Sequence, residues 1–178
     1  THHPVQVLLQ SKGYDTLARL NDDDKVIPLD YKIPEYGLSL QFYPHQFTQV
    51  NALMNRELVR TALGYLGDIA DQVVADMFCG IGNFTLPLAR AGARVVGIEG
   101  SQEAVVMGQH NAQRNGLKDH CYFAEEDLYS ETAKAAVDAS MLATLRHFGQ
   151  FPKALILDPP RSGAGPNLEF WVSSPELE

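Results

Sequence analysis

The fold of this chain is decided by the stretch VVADMFCGIGNFT, residues Val73–Thr85. A short apolar run reaches an acid at Asp76, a turn containing Gly80 and Gly82 follows, and an apolar helical pattern then begins. Glycine adopts backbone angles that other residues avoid and lets the backbone approach a ligand closely. The stretch therefore predicts a strand that delivers its carboxyl end, with Gly80 and Gly82, to a nucleotide-like cofactor.

Similar units of strand and helix continue after this stretch. Three further strands are predicted at residues 94–99, 121–124 and 153–158, with helices at about 84–91, 102–115, 131–147 and 168–177. Ser101 is placed to cap the second of these helices. Strands that alternate with helices predict an α/β fold with a mostly parallel sheet and right-handed crossovers.

The part of the chain before this pattern has a different character. Residues 1–46 are punctuated by prolines, and Leu38–Phe42 alternates between apolar and polar positions, as half-buried strands do. We expect a small β-rich lead-in segment over residues 1–46 and a partial cofactor-binding domain over residues 47–178. The second part opens with apolar residues at helical spacing, namely Val50, Met54, Leu58, Val59, Ala62, Leu63 and Leu66.

The composition argues against several classes of protein. The net charge is −8, without the basic stripe that nucleic-acid-binding surfaces carry. The chain has no apolar run of about 18 residues, so we expect no membrane span. Two cysteines are too few for a disulfide framework or a zinc site, and the histidines lack the spacing of metal ligands. We therefore expect a cytoplasmic protein without a metal.

Acidic residues stand at the ends of the predicted strands, where parallel sheets bind their ligands. Asp76 ends the first strand, Glu99 ends the second, Asp127 follows the third, and Asp158 ends the fourth. An acid about 20 residues beyond the first strand can accept the two hydroxyls of a ribose, and Glu99 lies 23 residues after Asp76. The alternative is a carboxylate that is simply solvated at a strand end.

The glycine turn favours one kind of cofactor. A dinucleotide fingerprint has a third glycine, which packs the helix against the strand, but Thr85 occupies that position. S-adenosylmethionine has no phosphates and needs less of this anion-binding arrangement. The alternative is a tight turn with a purely structural role.

The motif Asp158-Pro159-Pro160-Arg161 points to a class of methyltransferases. Two prolines after a strand-end acid stiffen the backbone and hold the carboxylate at the sheet edge. This arrangement is typical of methyltransferases that act on planar nitrogenous substrates. The alternative is an ordinary proline stop after a strand.

Four motifs in order give the chain a specific resemblance. They are Phe47–Asn51, Asp76–Phe84, Gly97–Glu99 and Leu157–Gly163. Together they resemble the S-adenosylmethionine-dependent RNA (uracil-5)-methyltransferases, and in particular the bacterial branch that methylates 23S ribosomal RNA. The resemblance covers nearly the whole chain and implies a doubly wound, Rossmann-like methyltransferase sheet. It also implies a ribosomal RNA substrate.

The resemblance also implies which residues hold the cofactor. They are Gln49, Phe78, Asn83, Glu99, Asp127 and Asp158. Glu99 would bind the ribose hydroxyls, Asp127 would lie by the adenine, and Phe78 would line the pocket. Gln49 would approach the methionine end of the cofactor, and Asp158 would lie between cofactor and uracil.

The chemistry of such enzymes requires a thiolate. It adds to carbon 6 of uracil and makes an enolate, which attacks the methyl group; a base then removes the proton on carbon 5, and the thiolate is expelled from carbon 6. We expect Cys79 and Cys121 to be packing residues. The resemblance places the nucleophilic cysteine in a Ser-Cys-Asn-Pro motif and the base in a glutamate, both expected beyond residue 178. The RNA-binding barrel and iron–sulfur cluster of this branch would likewise lie outside the sequence.

We therefore expect a monomeric, cofactor-binding fragment that does not methylate RNA alone. Two alternatives remain. One is a methyltransferase that modifies an exocyclic amine through Asp158-Pro159-Pro160, a reaction that needs no cysteine. The other is a non-catalytic module that binds RNA or a protein partner, although the acidic composition disfavours direct binding of RNA.

Overall fold

The computed structural model describes residues 7–10, 17–20, 26–129, 138, 141 and 144–164. The strands, in chain order, are β1 (Leu8–Gln10), β2 (Leu17–Arg19), β3 (Leu29–Ile33), β4 (Leu38–Phe42), β5 (Val73–Met77), β6 (Arg94–Glu99), β7 (Cys121–Glu125) and β8 (Ala154–Leu157). The helices are α1 (Ala52–Leu66), α2 (Thr85–Arg90) and α3 (Gln102–Arg114), and a 3-10 turn covers Pro34–Tyr36. The predicted helix at 168–177 and most of the one at 131–147 lie outside the described residues.

The centre of the fold is a four-stranded parallel sheet with the strand order β7-β6-β5-β8. Strands β5, β6 and β7 are added in one direction, and β8 then joins β5 on its other side. The order of strands therefore reverses beside β5, and ligands of doubly wound sheets bind at the carboxyl ends of the strands at such a point. The prediction of an α/β, doubly wound, parallel sheet is confirmed.

Strand β5 is buried on both faces. All five of its residues are buried, and their side chains alternate between two apolar clusters, one with Val74 and one with Ala75 and Met77. A strand covered on both faces reads as a continuous apolar run, because neither face meets water. This explains why the stretch that decides the fold has no polar alternation before Asp76.

Helix α3 begins where the sequence predicts. The Ser101 hydroxyl accepts the backbone N–H of Ala104 at 3.3 Å, so the predicted cap is confirmed. The helix ends at Arg114, and Gly116 follows with a φ of 69°. Capping satisfies backbone donors that a helix leaves without partners in its first turn.

Helix α1 is confirmed, but its apolar face is only partly covered. Asn51 caps the helix by accepting the N–H of Met54 at 3.1 Å. Val59 is fully buried in the main cluster, whereas Val50 is 98% exposed and Leu58 is also exposed. Periodicity correctly predicted the helix, but it could not show that the described neighbours cover only the side that carries Val59.

The hairpin of β3 and β4 packs onto the parallel sheet domain. Ile33, Leu38 and Leu40 are buried in the same cluster as Val74 of β5 and Leu86 of α2. The β-rich character of this segment is as predicted, and β1 and β2 form a separate antiparallel pair. The boundary between residues 46 and 47 stays a prediction. Among the described helices, none has the length and apolar character that crossing a membrane requires.

Candidate cofactor-binding site

The loop between β5 and α2 forms the centre of the candidate site. It takes left-handed backbone angles at Phe78 (φ 62°), Gly80 (φ 54°) and Gly82 (φ 96°). A left-handed conformation costs a non-glycine residue roughly 1–2 kcal/mol, so strain at Phe78 persists only because its surroundings hold it. Strain of this kind is concentrated at ligand sites.

The backbone amides of this loop are already hydrogen-bonded. The N–H of Cys79 donates to the Ile98 carbonyl at 3.1 Å, and the N–H of Gly82 donates to the Cys79 carbonyl at 2.9 Å. The N–H of Gly80 donates to Oε2 of Glu99 at 3.0 Å. Glycine-rich loops that bind phosphate present such N–H groups to the anion. This loop therefore does not offer these three donors to a pyrophosphate.

Glu99 is held in a fixed orientation at the end of β6. Its Oε1 accepts the N–H of Ser101 at 3.0 Å, while Oε2 accepts the N–H of Gly80. An ionised carboxylate has about four lone-pair positions, and these two bonds occupy one on each oxygen. The remaining positions, one on each oxygen, suit the two neighbouring hydroxyls of a ribose.

Gly80 and Gly82 have different surroundings. A Cβ at Gly82 would lie 2.4 Å from Cδ1 of Leu86 and 3.4 Å from Cζ of Phe123, so a side chain at this position would displace the buried Leu86 side chain in the first turn of α2. A Cβ at Gly80 would meet no heavy atom of the described residues within 4 Å. Gly82 is thus needed for packing, and Gly80 faces open space.

Asn83, at the end of the loop, is fixed by two residues from other parts of the chain. Its Oδ1 accepts the Tyr31 hydroxyl at 2.9 Å and Nδ2 of Asn55 at 2.9 Å. Its own Nδ2 donates to Oδ1 of Asn55 at 2.8 Å. The two asparagines form a reciprocal amide pair, which joins the hairpin, α1 and the glycine loop.

Tyr129, which follows β7, contacts both the loop after β5 and the segment after β8. Its ring lies 5.6 Å from the ring of Phe78, and its hydroxyl donates to the Gly163 carbonyl at 2.7 Å. Oδ1 of Asp127 accepts the N–H of Tyr129 at 2.9 Å. Asp127 and Tyr129 therefore share one turn. Because Tyr129 packs against Phe78, this turn lies at the carboxyl edge of the sheet.

Asp158 follows β8 beside the end of β5. Its N–H points to the Met77 carbonyl at 3.5 Å. Partial desolvation raises the pKa of the Asp158 carboxyl above its usual range, although the residue as a whole stays exposed. Phe78, Glu99, Asp127 and Asp158 are thus brought together at the carboxyl edge of the sheet.

Asp76 is not at that edge, because its side chain is completely buried within β5. Its Oδ2 accepts the Thr85 hydroxyl at 2.6 Å, and Oδ1 has no hydrogen-bond partner among the described residues. Burial raises the pKa of Asp76 to about 7; the Thr85 bond opposes this shift, and the charges of Asp158 and Glu99 add to it. Asp76 therefore lies in the core, beneath the glycine loop, and does not face a ligand.

Gln49 lies in the segment between β4 and α1, and its side chain is half-buried. This segment is attached to the start of α3, since Nε2 of His45 lies 2.6 Å from Oε1 of Glu103. Gln46 adds a hydrogen bond from its Nε2 to the Glu103 carbonyl at 3.4 Å. The role expected for Gln49 stays a prediction.

Both cysteines are buried and free. Cys79 is packed against β6, since a Cβ at Gly97 would lie 2.8 Å from its Sγ. Burial raises the pKa of Cys79 well above its usual value and that of Cys121 to about 12. A thiolate is the reactive form of cysteine, so neither thiol is suited to act as a nucleophile.

Sequence reasoning missed several residues that shape the site, namely Tyr31, Asn55, Asn111 and Tyr129. Asn55 and Asn111 are polar residues on inward faces of helices, and such placement is a usable signal that they bind other polar groups. Tyr31 and Tyr129 carry no comparable signal. Within the described ranges, no group of three or more residues has the composition and spacing to hold a metal ion.

Comparison with known proteins gives consistent matches. The family model described as tRNA (Uracil-5-)-methyltransferase matches residues 10–173. The 23S rRNA (uracil(1939)-C(5))-methyltransferase RlmD of Burkholderia ambifaria is 46% identical over 162 residues, which are 91% of this chain and 32% of that protein. The RlmD of Dechloromonas aromatica is 47% identical over 160 residues, or 90% of this chain and 34% of that protein.

The chain spans about a third of the length of these curated relatives. A solved structure of Pyrococcus abyssi tRNA (uracil-54, C5)-methyltransferase with S-adenosyl-L-homocysteine superposes with a TM-score of 0.60. The match covers 79% of this chain and 30% of that one, at 21% sequence identity. At this identity the similarity supports the fold alone.

Proposed function

Because this chain belongs to the tRNA (uracil-5-)-methyltransferase family, we propose that it is the S-adenosylmethionine-binding part of an RNA methyltransferase. The proposed reaction is methylation of carbon 5 of a uridine in 23S ribosomal RNA, the substrate in the names of the relatives. The cofactor supplies a methyl group that its positively charged sulfur activates for transfer. This activity is proposed for the whole protein. The present chain matches about a third of the length of each relative.

The observation that supports this cofactor best is the state of the glycine loop. The amides of Cys79, Gly80 and Gly82 have internal acceptors, which leaves a poor site for a pyrophosphate. The carboxylate of Glu99, in contrast, is oriented by two amides and keeps capacity on both oxygens for ribose hydroxyls. A nucleoside without phosphates fits both features.

Charge supports the same choice. Glu99 ends β6 and Asp158 directly follows β8, so both carboxylates stand at the carboxyl edge of the sheet. Carboxylates attract a sulfonium cation and repel a pyrophosphate, more strongly where water is partly excluded. We propose that Asp158 lies between the cofactor and the uracil, and that Gln49 approaches the methionine end.

Three further residues complete the proposed cofactor contacts. Phe78 lines the pocket, and Asp127 lies by the adenine. Asn83 offers its amide, in the orientation fixed by Asn55 and Tyr31. These residues bind and orient the cofactor; they do not provide the thiolate or the base.

The thiolate of the proposed reaction comes from outside this sequence. Cys79 and Cys121 are its only cysteines, and both are buried with raised pKa values. RNA phosphates are also expected to meet basic surfaces elsewhere, because the net charge here is −8. Two free thiols suit a reducing compartment, so we propose that the protein is cytoplasmic. We also propose that it is a monomer.

Titration calorimetry with S-adenosylhomocysteine tests the cofactor proposal. We expect binding by the wild-type protein and at least about a hundredfold weaker binding by Glu99→Ala, which loses two hydrogen bonds to a charged group. Glu125→Ala is the matched control, since Glu125 pairs with Glu99 across β6 and β7 but is exposed. Binding of NADH in place of S-adenosylhomocysteine would overturn the proposal.

The reaction is tested in cells. A strain that lacks the gene for the whole protein should lose one 5-methyluridine from 23S ribosomal RNA, and the wild-type gene should restore it. Mass spectrometry of RNA fragments locates the methyl group. A methyl group missing from an exocyclic amine instead would favour the other class of methyltransferase.

A further inference from the structure

The amide of Asn83 is held by residues from two other parts of the chain. It accepts hydrogen bonds from Tyr31 and Asn55 and donates one to Asn55, and these three bonds hold its position and its plane. Tyr31 lies 52 residues away in sequence and Asn55 lies 28 residues away. The network therefore exists only when the hairpin and α1 are in place.

The network is partly buried. Asn55 is 4% exposed, and burial raises the pKa of Tyr31 above its usual range. The Tyr31 ring packs edge-on against Phe42, with 5.9 Å between ring centres, and against the cluster containing Ile81 of the glycine loop. Hydrogen bonds are stronger in such surroundings than in water, and losing one partner there is costly.

An asparagine amide has two N–H donors and two acceptor positions on its oxygen. In Asn83 both acceptor positions and one donor are used by Tyr31 and Asn55. The second N–H is left for a ligand, as far as the described residues show. Its direction is set by the plane of the amide, which the other three bonds fix.

From this geometry we propose that Tyr31 and Asn55 are positioning residues of the cofactor site, which act on the cofactor only through Asn83. This rests on the proposed function and extends it, because it makes the β3–β4 hairpin part of the site. Holding the amide in place before binding removes the cost of immobilising it. We expect this to be worth about three- to tenfold in cofactor affinity.

The test is a double-mutant cycle measured by calorimetry with S-adenosylhomocysteine. Tyr31→Phe removes the hydroxyl and keeps the ring against Phe42. It should weaken binding about three- to tenfold in the wild-type protein and leave binding unchanged in an Asn83→Ala background. Asn55→Ala should behave in the same way. Tyr65→Phe is the control, since Tyr65 is 88% exposed on α1.

The outcomes separate the two proposals. Equal weakening by Tyr31→Phe in both backgrounds means that Tyr31 acts independently of Asn83 and overturns the inference. An unchanged affinity of Tyr31→Phe, with Glu99→Ala still weakened, overturns the inference and keeps the proposed function. Wild-type protein that does not bind S-adenosylhomocysteine overturns both. Thermal unfolding of each variant checks that the fold is retained.

Discussion

Asn111 of α3 pairs with the backbone of Gln41 in β4 as a neighbouring strand would. Its Oδ1 accepts the Gln41 N–H at 2.7 Å, and its Nδ2 donates to the Gln41 carbonyl at 2.9 Å. One helical turn later, Asn115 makes the same pair of bonds with Ser39, at 3.0 and 2.9 Å. Two side chains of the sheet domain thus satisfy the backbone of the N-terminal hairpin.

Asn111 also reaches the glycine loop, because its Nδ2 lies 3.2 Å from the Ile81 carbonyl. Asn111→Ala should therefore lower the free energy of unfolding by about 2–4 kcal/mol, as buried backbone groups lose their partner. Urea unfolding measures this. Gln113→Ala, on the exposed side of α3, should change it by less than about 0.5 kcal/mol. Equal effects of the two substitutions would contradict the role of Asn111.

Gly82 is expected to tolerate no side chain. Its φ is 96°, and a Cβ would lie 2.4 Å from Cδ1 of Leu86, which is fully buried. Gly82→Ala should cost about 3 kcal/mol or more, combining backbone strain with the clash. Gly116→Ala has a similar positive φ of 69° but no described heavy atom within 4 Å, so it should cost only about 1 kcal/mol. Denaturant unfolding of both variants measures the two costs, and their difference combines the clash with the greater backbone strain at a φ of 96°.

Asp76 should make stability depend on pH. Its pKa is about 7 in the folded state, against about 3.9 for an aspartate in an unfolded chain, so the folded state binds more protons between these pH values. The contribution of Asp76 to the free energy of unfolding is therefore fully present below about pH 4. It decreases as the pH rises and is lost above about pH 7. The slope is at most about 1.4 kcal/mol per pH unit.

The comparison that isolates this effect is with Asp76→Asn. Urea unfolding from pH 5 to pH 8 should show the wild-type protein losing stability relative to the variant up to about pH 7, and then no further change. Thr85→Val removes the hydrogen bond that lowers the pKa of Asp76, so it should move the end of the decline to higher pH. A difference between wild type and Asp76→Asn that is constant with pH would rule out the titration.

Tyr129 should hold the loop that carries Asp158. Its hydroxyl donates to the Gly163 carbonyl at 2.7 Å and lies 3.2 Å from Oγ of Ser162. Tyr129→Phe keeps the ring against Phe78 but loses these contacts, which should raise the population of an open loop about two- to tenfold. Trypsin should then cleave after the exposed Arg161 faster by the same factor.

Mass spectrometry of a digestion time course measures this cleavage, with Tyr65→Phe as the control. Cleavage after Arg161 at the wild-type rate in Tyr129→Phe would show that the hydroxyl does not hold the loop.

The two thiols should be unreactive in the folded protein. Cys79 is 4% exposed and Cys121 is 8% exposed, and burial raises both pKa values. A chromogenic disulfide reagent at pH 8 should label neither thiol quickly in the native state and both in denaturant. Cys79→Ser and Cys121→Ser assign any residual reaction. Rapid native labelling of Cys79 would reopen the question of a nucleophile in this chain.

The sequence was sufficient to predict features that depend on residues close together in the chain. Val73–Met77 is a strand because a run of apolar residues suits burial on both faces, and the glycines that follow permit the positive φ angles of the turn. The cap at Ser101 was also predictable, since it depends on residues three positions apart. The parallel sheet follows from the alternation of strands and helices.

Periodicity was a weaker guide to burial. It correctly predicted α1, yet Val50 and Leu58 of the predicted apolar face are exposed. Asp76 shows the opposite case, since an acid at the end of an apolar run suggested a ligand at the sheet edge, and the strand instead carries it fully into the core. Burial depends on which elements cover a face, and local spacing does not specify that.

The amino-acid sequence was sufficient to predict the strand, the glycine turn and the position of Glu99, and with them the resemblance to a family. The folded structure was needed to show that the loop amides are occupied, that Asn83 is held by Tyr31 and Asn55, and that Asn111 joins α3 to Gln41. The difference lies in the range of the interactions. Propensity and capping act within a few residues, whereas these hydrogen bonds join residues 19 to 70 positions apart and exist only after the layers have packed.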